Sequence, residues 1–590
     1  MSGSYWDRYW RRQSSRRRFL KGAAVTGVGA SAMALVGCGD DDDDDDDGGD
    51  IQLATPTPGA SATPTPADPF ATATRGGIYK IDTTGDPPTL DPYGNLSFLT
   101  KGIGGYFYGR LYKYKTGPGI LPLSVRPTPD MAESAEPSPD GTQWTIKLKP
   151  GLKFHNVAPV NGREVTTDDV KFSWGRLTAE TTQNRSQVSF VDSVTYPDKS
   201  TIVFKLKQPY APFLDTLADT NLLFIMPTES DGGFDPTKTM IGSGPWIFKS
   251  YQANVKFVMD KNPDWYMKGF PLMDGIELSI VPEYANRLAQ FLAANSDSLG
   301  INAEDLVEAK KQIPDIQLEG RTGPTLSFLY FESGPDSPFK DDRVRQAISM
   351  ALNRDDLLEL GYNLKRLRDA GLDVQSPYHN IIPAGETRWW LDPTSADMGE
   401  GAKYFKYDPA EAKKLLDATG LDINVTYQYV ANRYGKTFDD IAEQQIQYLN
   451  EIGIKTTTEV QDYSTKYITQ TFAGNFKGIA FGYETPFPEA GSYLIRQFTD
   501  DPLNHGKIND PKMTQYALDQ LKELNEEKRK EIFWEAQKYH ATHMYYVPSV
   551  AGAGTGWIAH QPWLHNGVEY VVKGYGVGTE EYPFRWKSKA

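Results

Sequence analysis

The sequence predicts an α/β fold of two lobes, and two observations carry that expectation. The chain has 590 residues, 39% hydrophobic and 12% aromatic, which is ample for a large core and for more than one domain. From residue 75 onward, over about 515 residues, short runs with strand character alternate with amphipathic helical runs. No repeat period is visible.

The elements follow in chain order. The start carries Arg8, Arg11, Arg12, Arg16, Arg17, Arg18 and Lys21, then the uncharged stretch Ala23 to Gly37, then Cys38. A basic flank, a short apolar segment and a small-residue processing site make an export signal, and fifteen weakly apolar residues fall short of the about 20 a spanning helix needs. Ser15 to Lys21 (SRRRFLK) resembles a twin-arginine export motif, and Leu35-Val36-Gly37-Cys38 resembles a bacterial lipobox, which implies lipidation of Cys38 after cleavage. Residues 38–74 then read as the lipidated cysteine and a disordered spacer. Asp40 to Asp47 repel one another and lack the glycine and terminal glutamate of a calcium loop, and the Thr/Pro-rich run to Thr74 favours extended polyproline II. Such a spacer reaches ~100 Å at about 3.1 Å per residue.

In the body, Ile78 to Ile81, Trp144 to Lys149, Ile202 to Leu206, Phe257 to Asp260, Ile276 to Val281 and Leu326 to Phe331 are expected as strands, being short, β-branched or aromatic, and bounded by Gly, Pro or Asp. Asp341 to Leu360 is expected as one helix with Val344, Ile348, Ala351 and Leu352 on its apolar face. Asp408 to Thr419 opens on Asp-Pro and stops at Gly420, and Phe438 to Ile452 and Asn525 to His543 are further amphipathic runs.

Composition excludes several functions. Net charge is −15, and loss of residues 1–37 makes it −21, of which nine charges are Asp40 to Asp47 and Asp50. That argues against nucleic acid or an anionic membrane surface as a partner. One cysteine and seven scattered histidines make neither a disulfide nor an obvious metal centre, and no cofactor is expected. No G-x-S-x-G elbow occurs; Gly242-Ser243-Gly244-Pro245 is a glycine-rich turn. His540 and His543 lack an acid at zinc-enzyme spacing, and the glycines at 552–556 and 574–576 lack the strand-then-helix context of a phosphate loop. No catalytic residue is expected.

Several segments in order carry a resemblance: GDPPTLDP at 85–92, DGTQW at 140–144, GLKFH at 151–155, TDDVKFS at 167–173, QPYAPFLDTLA at 208–218, IGSGPWIFKSY at 241–251, KNPDWY at 261–266, PFKDDRVRQAISMALNRDDL at 338–357 and DPAEAKKLLDATG at 408–420. Together, over roughly residues 76–550, they resemble the extracytoplasmic solute-binding proteins of family 5, the oligopeptide-, dipeptide- and nickel-binding components of ABC importers. The resemblance implies a periplasmic-binding-protein fold of the large peptide-binding type, class II, cluster C, with an extra subdomain in the first lobe. The expected limits are 1–37 signal, 38–74 anchor and spacer, 75–110 and 240–325 lobe I, 111–239 extra subdomain, 326–545 lobe II, and 546–590 a return to lobe I. Most of these motifs have structural accounts: DGT is a turn, Trp144 and Phe154 are core aromatics, and Arg343 and Arg345 meet acids at a helix start.

The function implied is capture of a peptide or similar polar solute in an interlobe cleft and delivery to the transmembrane subunits of an ABC permease. A nickel chelate or an oligosaccharide on the same scaffold stays open, and a secreted hydrolase or a surface adhesion protein are the rivals from other classes. Family members place an acid for the peptide amino group in a Gly-Trp-x-x-Asp-type segment; here the matching stretch is Ile479 to Glu489, with Tyr483 in place of the tryptophan and Glu484 or Glu489 in place of the aspartate. Trp389 and Trp390, adjacent in a loop between Pro383 and Pro393, cannot both face a core easily, so one is expected to line the cleft. Tyr429, Tyr330 and Asn432 complete the candidate site. The expected protein is a monomer, exported and held only by the lipid at Cys38 to the outer face of the cytoplasmic membrane.

Overall fold

The computed structural model describes residues 69–590 except 96, 121–125, 322–324, 373, 375, 431–433, 435, 485, 486, 488, 502, 503, 551–555, 568–579, 589 and 590. The export signal, Cys38, the acidic run and Asn432 therefore lie outside the described residues. Ala73–Ala590 packs as one unit around two hydrophobic cores. The first draws on residues from Tyr79 to Ile280 together with Leu564, and the second on residues from Phe291 to Ala559. The backbone thus passes between the cores twice, between Ile280 and Phe291 and between Ala559 and Leu564.

All six expected strands form. In the first lobe Ile78–Thr83 pairs in parallel with Gly275–Ile280, and Lys256–Lys261 and Trp246–Gln252 extend the sheet antiparallel. A second, antiparallel sheet runs Ala132–Pro137, Gln143–Leu148, Thr201–Leu206, Val191–Thr195. Its inner face follows from the two-residue period, with Trp144, Ile146, Leu148, Ile202, Phe204 and Leu206 buried. The DGT turn closes its first hairpin: Asp140 accepts from the Thr142 amide at 3.1 Å, and Gly141 takes φ +68°. Helix Thr167–Thr178 starts on a capping box between Thr166 and Asp169, and Asp169 also takes the Arg163 guanidinium at 2.6 and 2.9 Å.

The glycine-rich turn at 242–245 is scaffold. A side chain on Gly242 would lie 2.0 Å from the Phe107 carbonyl oxygen, so only glycine fits. His155 fastens the turn, accepting at Nδ1 from the Gly242 amide (3.2 Å) while Nε2–H donates to the Gly244 carbonyl (3.1 Å). Burial lowers the His155 pKa to about 4, which keeps the ring in this neutral form.

The second lobe is built on a five-stranded sheet ordered Lys455–Val460, Asn424–Tyr429, Ile479–Tyr483, Ser327–Phe331, Val547–Pro548. The first three strands are parallel, and Ser327–Phe331 and Val547–Pro548 add antiparallel pairings. Every residue of Ser327–Phe331 is buried, which explains why that strand reads as a continuous apolar run. A third sheet, Ser298–Ile301, Gly556–His560 and Gln317–Arg321, lies beside the crossover segments.

One helix differs from expectation. Asp341 to Leu360 is two helices, Asp342–Ala351 and Arg354–Tyr362, because Leu352 is extended (ψ 112°) and Asn353 caps the second helix by accepting from the Asp356 amide at 3.2 Å. Asn with an acid three residues on is an N-terminal signal inside an otherwise continuous apolar pattern. Arg354 then turns inward, fully buried, and donates to the carbonyls of Ser349, Phe405 and Pro548. Arg343 and Arg345 pair with Asp341 and Asp342 at the first helix start. Among the described residues no helix is long and apolar enough to cross a membrane.

Candidate functional site

Three parallel strands of the second lobe end side by side at Tyr429, Val460 and Tyr483, and open α/β sheets hold ligands outside the carboxyl ends of such strands. Glu484 follows the last of them, its amide donating to the Leu326 carbonyl at 2.8 Å, which fixes the direction of the side chain. The residue is 1% exposed. Its Oε2 lies 3.4 Å from Nε2 of His505, itself buried, whose Nδ1 is hydrogen-bonded to the Phe472 carbonyl. The rings of Phe472 and Tyr330 sit 4.0 and 5.0 Å from the imidazole.

Phenols surround this pair. Burial, with the negative charge of Glu484 adding to it, pushes the Tyr330 hydroxyl well above its usual range, and Tyr467 and Tyr546 shift the same way, mainly through burial. Tyr467 sits on a π-type helix, Tyr463–Thr471, and donates to the Phe481 carbonyl at 3.2 Å. The site is therefore one acid and one imidazole in a wall of neutral phenols.

A second polar cluster spans the seam between the lobes. Arg388 of the second lobe lies 3.5 Å from Asp215 of the first and 3.5 Å from Glu526 of its own lobe, and Arg126 of the first lobe pairs with Glu526. Burial opposes ionisation of Glu526, yet Arg388 and Arg126 hold its carboxyl below the usual range. The Ala211 amide donates to the Leu521 carbonyl at 2.6 Å across the same seam. Tyr493 feels the charges of both Glu386, in the Arg388 loop, and Glu484, so the two clusters are electrostatic neighbours.

The other predicted residues fall as follows. Glu489 is buried in an ion pair with Arg529 at 2.5 Å and also accepts from the Gly491 amide at 2.7 Å. Tyr483 is partly buried against Tyr434 and Phe438, its hydroxyl pushed up to about 12 by burial. Tyr429 and Tyr330 are buried at strand ends and centres. Trp389 and Trp390 are both buried, at 2% and 4% exposure. Their loop is a tight turn in which both amides donate to the Glu386 carbonyl at 2.9 Å, while Gln537 bonds the Trp389 carbonyl and the Leu391 amide. Trp389 stacks on Phe533 with the Arg388 and Arg529 guanidiniums over its ring. Sequence reading missed His505, Arg388 and Asp215; no local motif marks them, since each gains its meaning from a residue remote in the chain. Of the histidines it weighed, His540 is buried and accepts from the Tyr546 amide, and His543 stacks on Tyr545; no group of metal-ligating side chains occurs among the described residues.

Comparison with known proteins agrees with this architecture. Residues 126–504 match the bacterial extracellular solute-binding proteins, family 5, and the chain belongs to that family. It is 24% identical over 460 residues to heme-binding protein A of Haemophilus influenzae, covering 73% of this chain and 79% of that one. It is 28% identical over 385 residues to the probable D,D-dipeptide-binding periplasmic protein DdpA of Escherichia coli, covering 63% and 68%. The fold matches that of the periplasmic binding protein DppA from Helicobacter pylori, solved in complex with the peptide STSA, with a TM-score of 0.63 at 21% identity over 88% of this chain and 99% of that one. The protein is thus an extracytoplasmic solute-binding component of an ABC importer, a binding protein and not an enzyme.

Proposed function

We propose that this receptor captures peptides between its lobes and that Glu484 receives the peptide α-ammonium. The observation that carries the reading is a wholly buried carboxylate placed just past the carboxyl end of a parallel strand, in the segment where the family holds its amino-group acceptor. Two of the relatives above support it by being named for a dipeptide or solved with a peptide. Glu489, held by Arg529 and the Gly491 amide, lies six residues beyond the end of that strand and is the weaker candidate. Tyr483, Tyr429, Tyr330 and the Trp389–Trp390 turn make the walls, and the Arg388 seam holds the lobes together once the solute is inside. A lipid at Cys38, after twin-arginine export, tethers the receptor beside its permease through a spacer, and the receptor works as a monomer. Native mass spectrometry of protein purified from its host tests the reading: intact peptides released on denaturation support it, whereas a metal chelate, a sugar or a hydrolysed product would replace it. Loss of the lipid mass in a Cys38→Ser variant tests the anchor.

A further inference from the structure

We propose that Gln537 is a positioning residue for the seam, holding the turn at 386–391 so that Arg388 meets Asp215 of the other lobe; this rests on the reading of the Arg388 seam given above. Gln537 lies on the helix Glu526–His543 and is fully buried. Its amide has two donor hydrogens and one acceptor oxygen, and all are used. Nε2 donates to the carbonyls of Trp389 at 2.8 Å and Phe533 at 2.9 Å, while Oε1 accepts from the Leu391 amide and from Nδ2 of Asn380, both at 2.8 Å. These four bonds fix one orientation of the amide. Asn380 also donates to the Leu391 carbonyl at 2.6 Å, so both backbone groups of Leu391 are held.

One face of the helix carries the rest of the support. Glu526, Arg529, Phe533 and Gln537 follow one another at spacings of three and four residues, and each engages the turn. Glu526 accepts from Nη2 of Arg388 at 3.5 Å, Phe533 stacks on the Trp389 ring at 4.9 Å, and the Arg529 guanidinium lies 4.8 Å from the centre of that ring. The Arg388 guanidinium lies over the same ring at 4.7 Å. Arg388 is thus packed on a tryptophan whose carbonyl Gln537 holds. Burial opposes the charge on Arg388, and Asp215 followed by Glu526 more than offsets it. An apolar side chain at 537 would fill the volume and deprive the Trp389 carbonyl and the Leu391 amide of these bonds. Relief comes from a shift of the turn, which takes Arg388 off its 3.5 Å contact with Asp215.

The test measures engagement of the lobes with no solute added. Nitroxides at Val255→Cys and Leu421→Cys, exposed positions in the first and second lobes, report it by double electron–electron resonance in a Cys38→Ser chain, where they occupy the only thiols. Gln537→Met is expected to lower the ratio of engaged to separated lobes at least about threefold, and Arg388→Met to lower it as well. Added to Arg388→Met, Gln537→Met should change the ratio by less than about twofold, and the comparison cancels any damage common to both backgrounds. An equal loss in both backgrounds, or no loss on Gln537→Met alone, overturns the positioning role and leaves the seam standing. Arg388→Met without effect, or a parent chain with no engaged lobes, overturns the seam reading and the positioning role together. Should Gln537→Met not fold, Asn380→Ala, which removes a bond to Gln537 Oε1 from outside the helix, is read in the same cycle with the same outcomes.

Discussion

Arg388 and Asp215 face each other across the seam between the lobes at 3.5 Å, with side chains 12% and 8% exposed. The arginine also reaches Glu526, which Arg126 of the first lobe engages from the other side. Acids and guanidiniums thus alternate across the seam, which makes its engagement dependent on charge.

Arg388→Met removes the centre of that chain and leaves Asp215 buried without its partner. The engaged state should lose about 2 kcal/mol or more, seen as a larger radius of gyration at saturating solute and a faster solute off-rate. The Arg126–Glu526 pair is more exposed, so Arg126→Met should change either quantity little at physiological salt.

Arg529→Met tests a different role for a neighbouring charge. Burial pushes the Glu489 carboxyl up while Arg529 pulls it back, so removing the arginine strands a buried acid and should cost ~3–5 kcal/mol of second-lobe stability. Chemical denaturation followed by the fluorescence of Trp389, whose ring the Arg529 guanidinium covers, would report it. Rescue by Glu489→Gln in the same background would confirm the cause.

His155 gives a pH dependence whose sign is fixed. Its folded pKa is lowered to about 4 from 6.5, so the unfolded chain takes up a proton that the folded one refuses. Stability is therefore full above pH 6.5, declines as pH falls toward about 4, and by then has lost about 3 kcal/mol on this account. Urea midpoints across that range should fall less steeply in His155→Gln than in the wild type. His540, lowered to about 3 by burial, adds a decline of the same sign in both.

Gly242→Ala should fail through its backbone. The new methyl would meet the Phe107 carbonyl at 2.0 Å, and a main-chain oxygen in a packed core has nowhere to go. A loss of ~3 kcal/mol or more is expected in thermal unfolding. Gly119→Ala, where nothing lies within 4 Å, should cost far less even though its φ is positive.

Glu484→Gln keeps the shape of the side chain and removes its charge. Capture of a free-amino peptide should weaken by ~1–3 kcal/mol, while an N-acetylated analogue should bind as it does to the wild type. Unchanged affinity for the free-amino peptide would take Glu484 out of the site.

The fold was legible where local pattern and tertiary role coincide. Ile202, Phe204 and Leu206 alternate because one face of their sheet is buried, and Asp408-Pro409 to Gly420 carries both caps of its helix, with Asp408 accepting from the Glu411 amide. Asn353 was a cap hidden in a continuous apolar run, so one expected helix is two. The site was legible only in part. Glu484 stood in a recognisable segment, but His505 lies 21 positions further on in a polar loop and becomes its partner only through folding. Asp215 and Arg388 are 173 positions apart, and no periodicity links them. The tight turn around the Glu386 carbonyl that buries both adjacent tryptophans has no signature in the local sequence.

Small-angle scattering of the protein, with and without a peptide at saturating concentration, tests most directly whether the lobes close on a guest and part again with the guest unchanged. A radius of gyration that contracts on binding, recovers on dialysis and returns the peptide at its original mass is the predicted result. Superimposable profiles, or a peptide recovered cleaved, would contradict it.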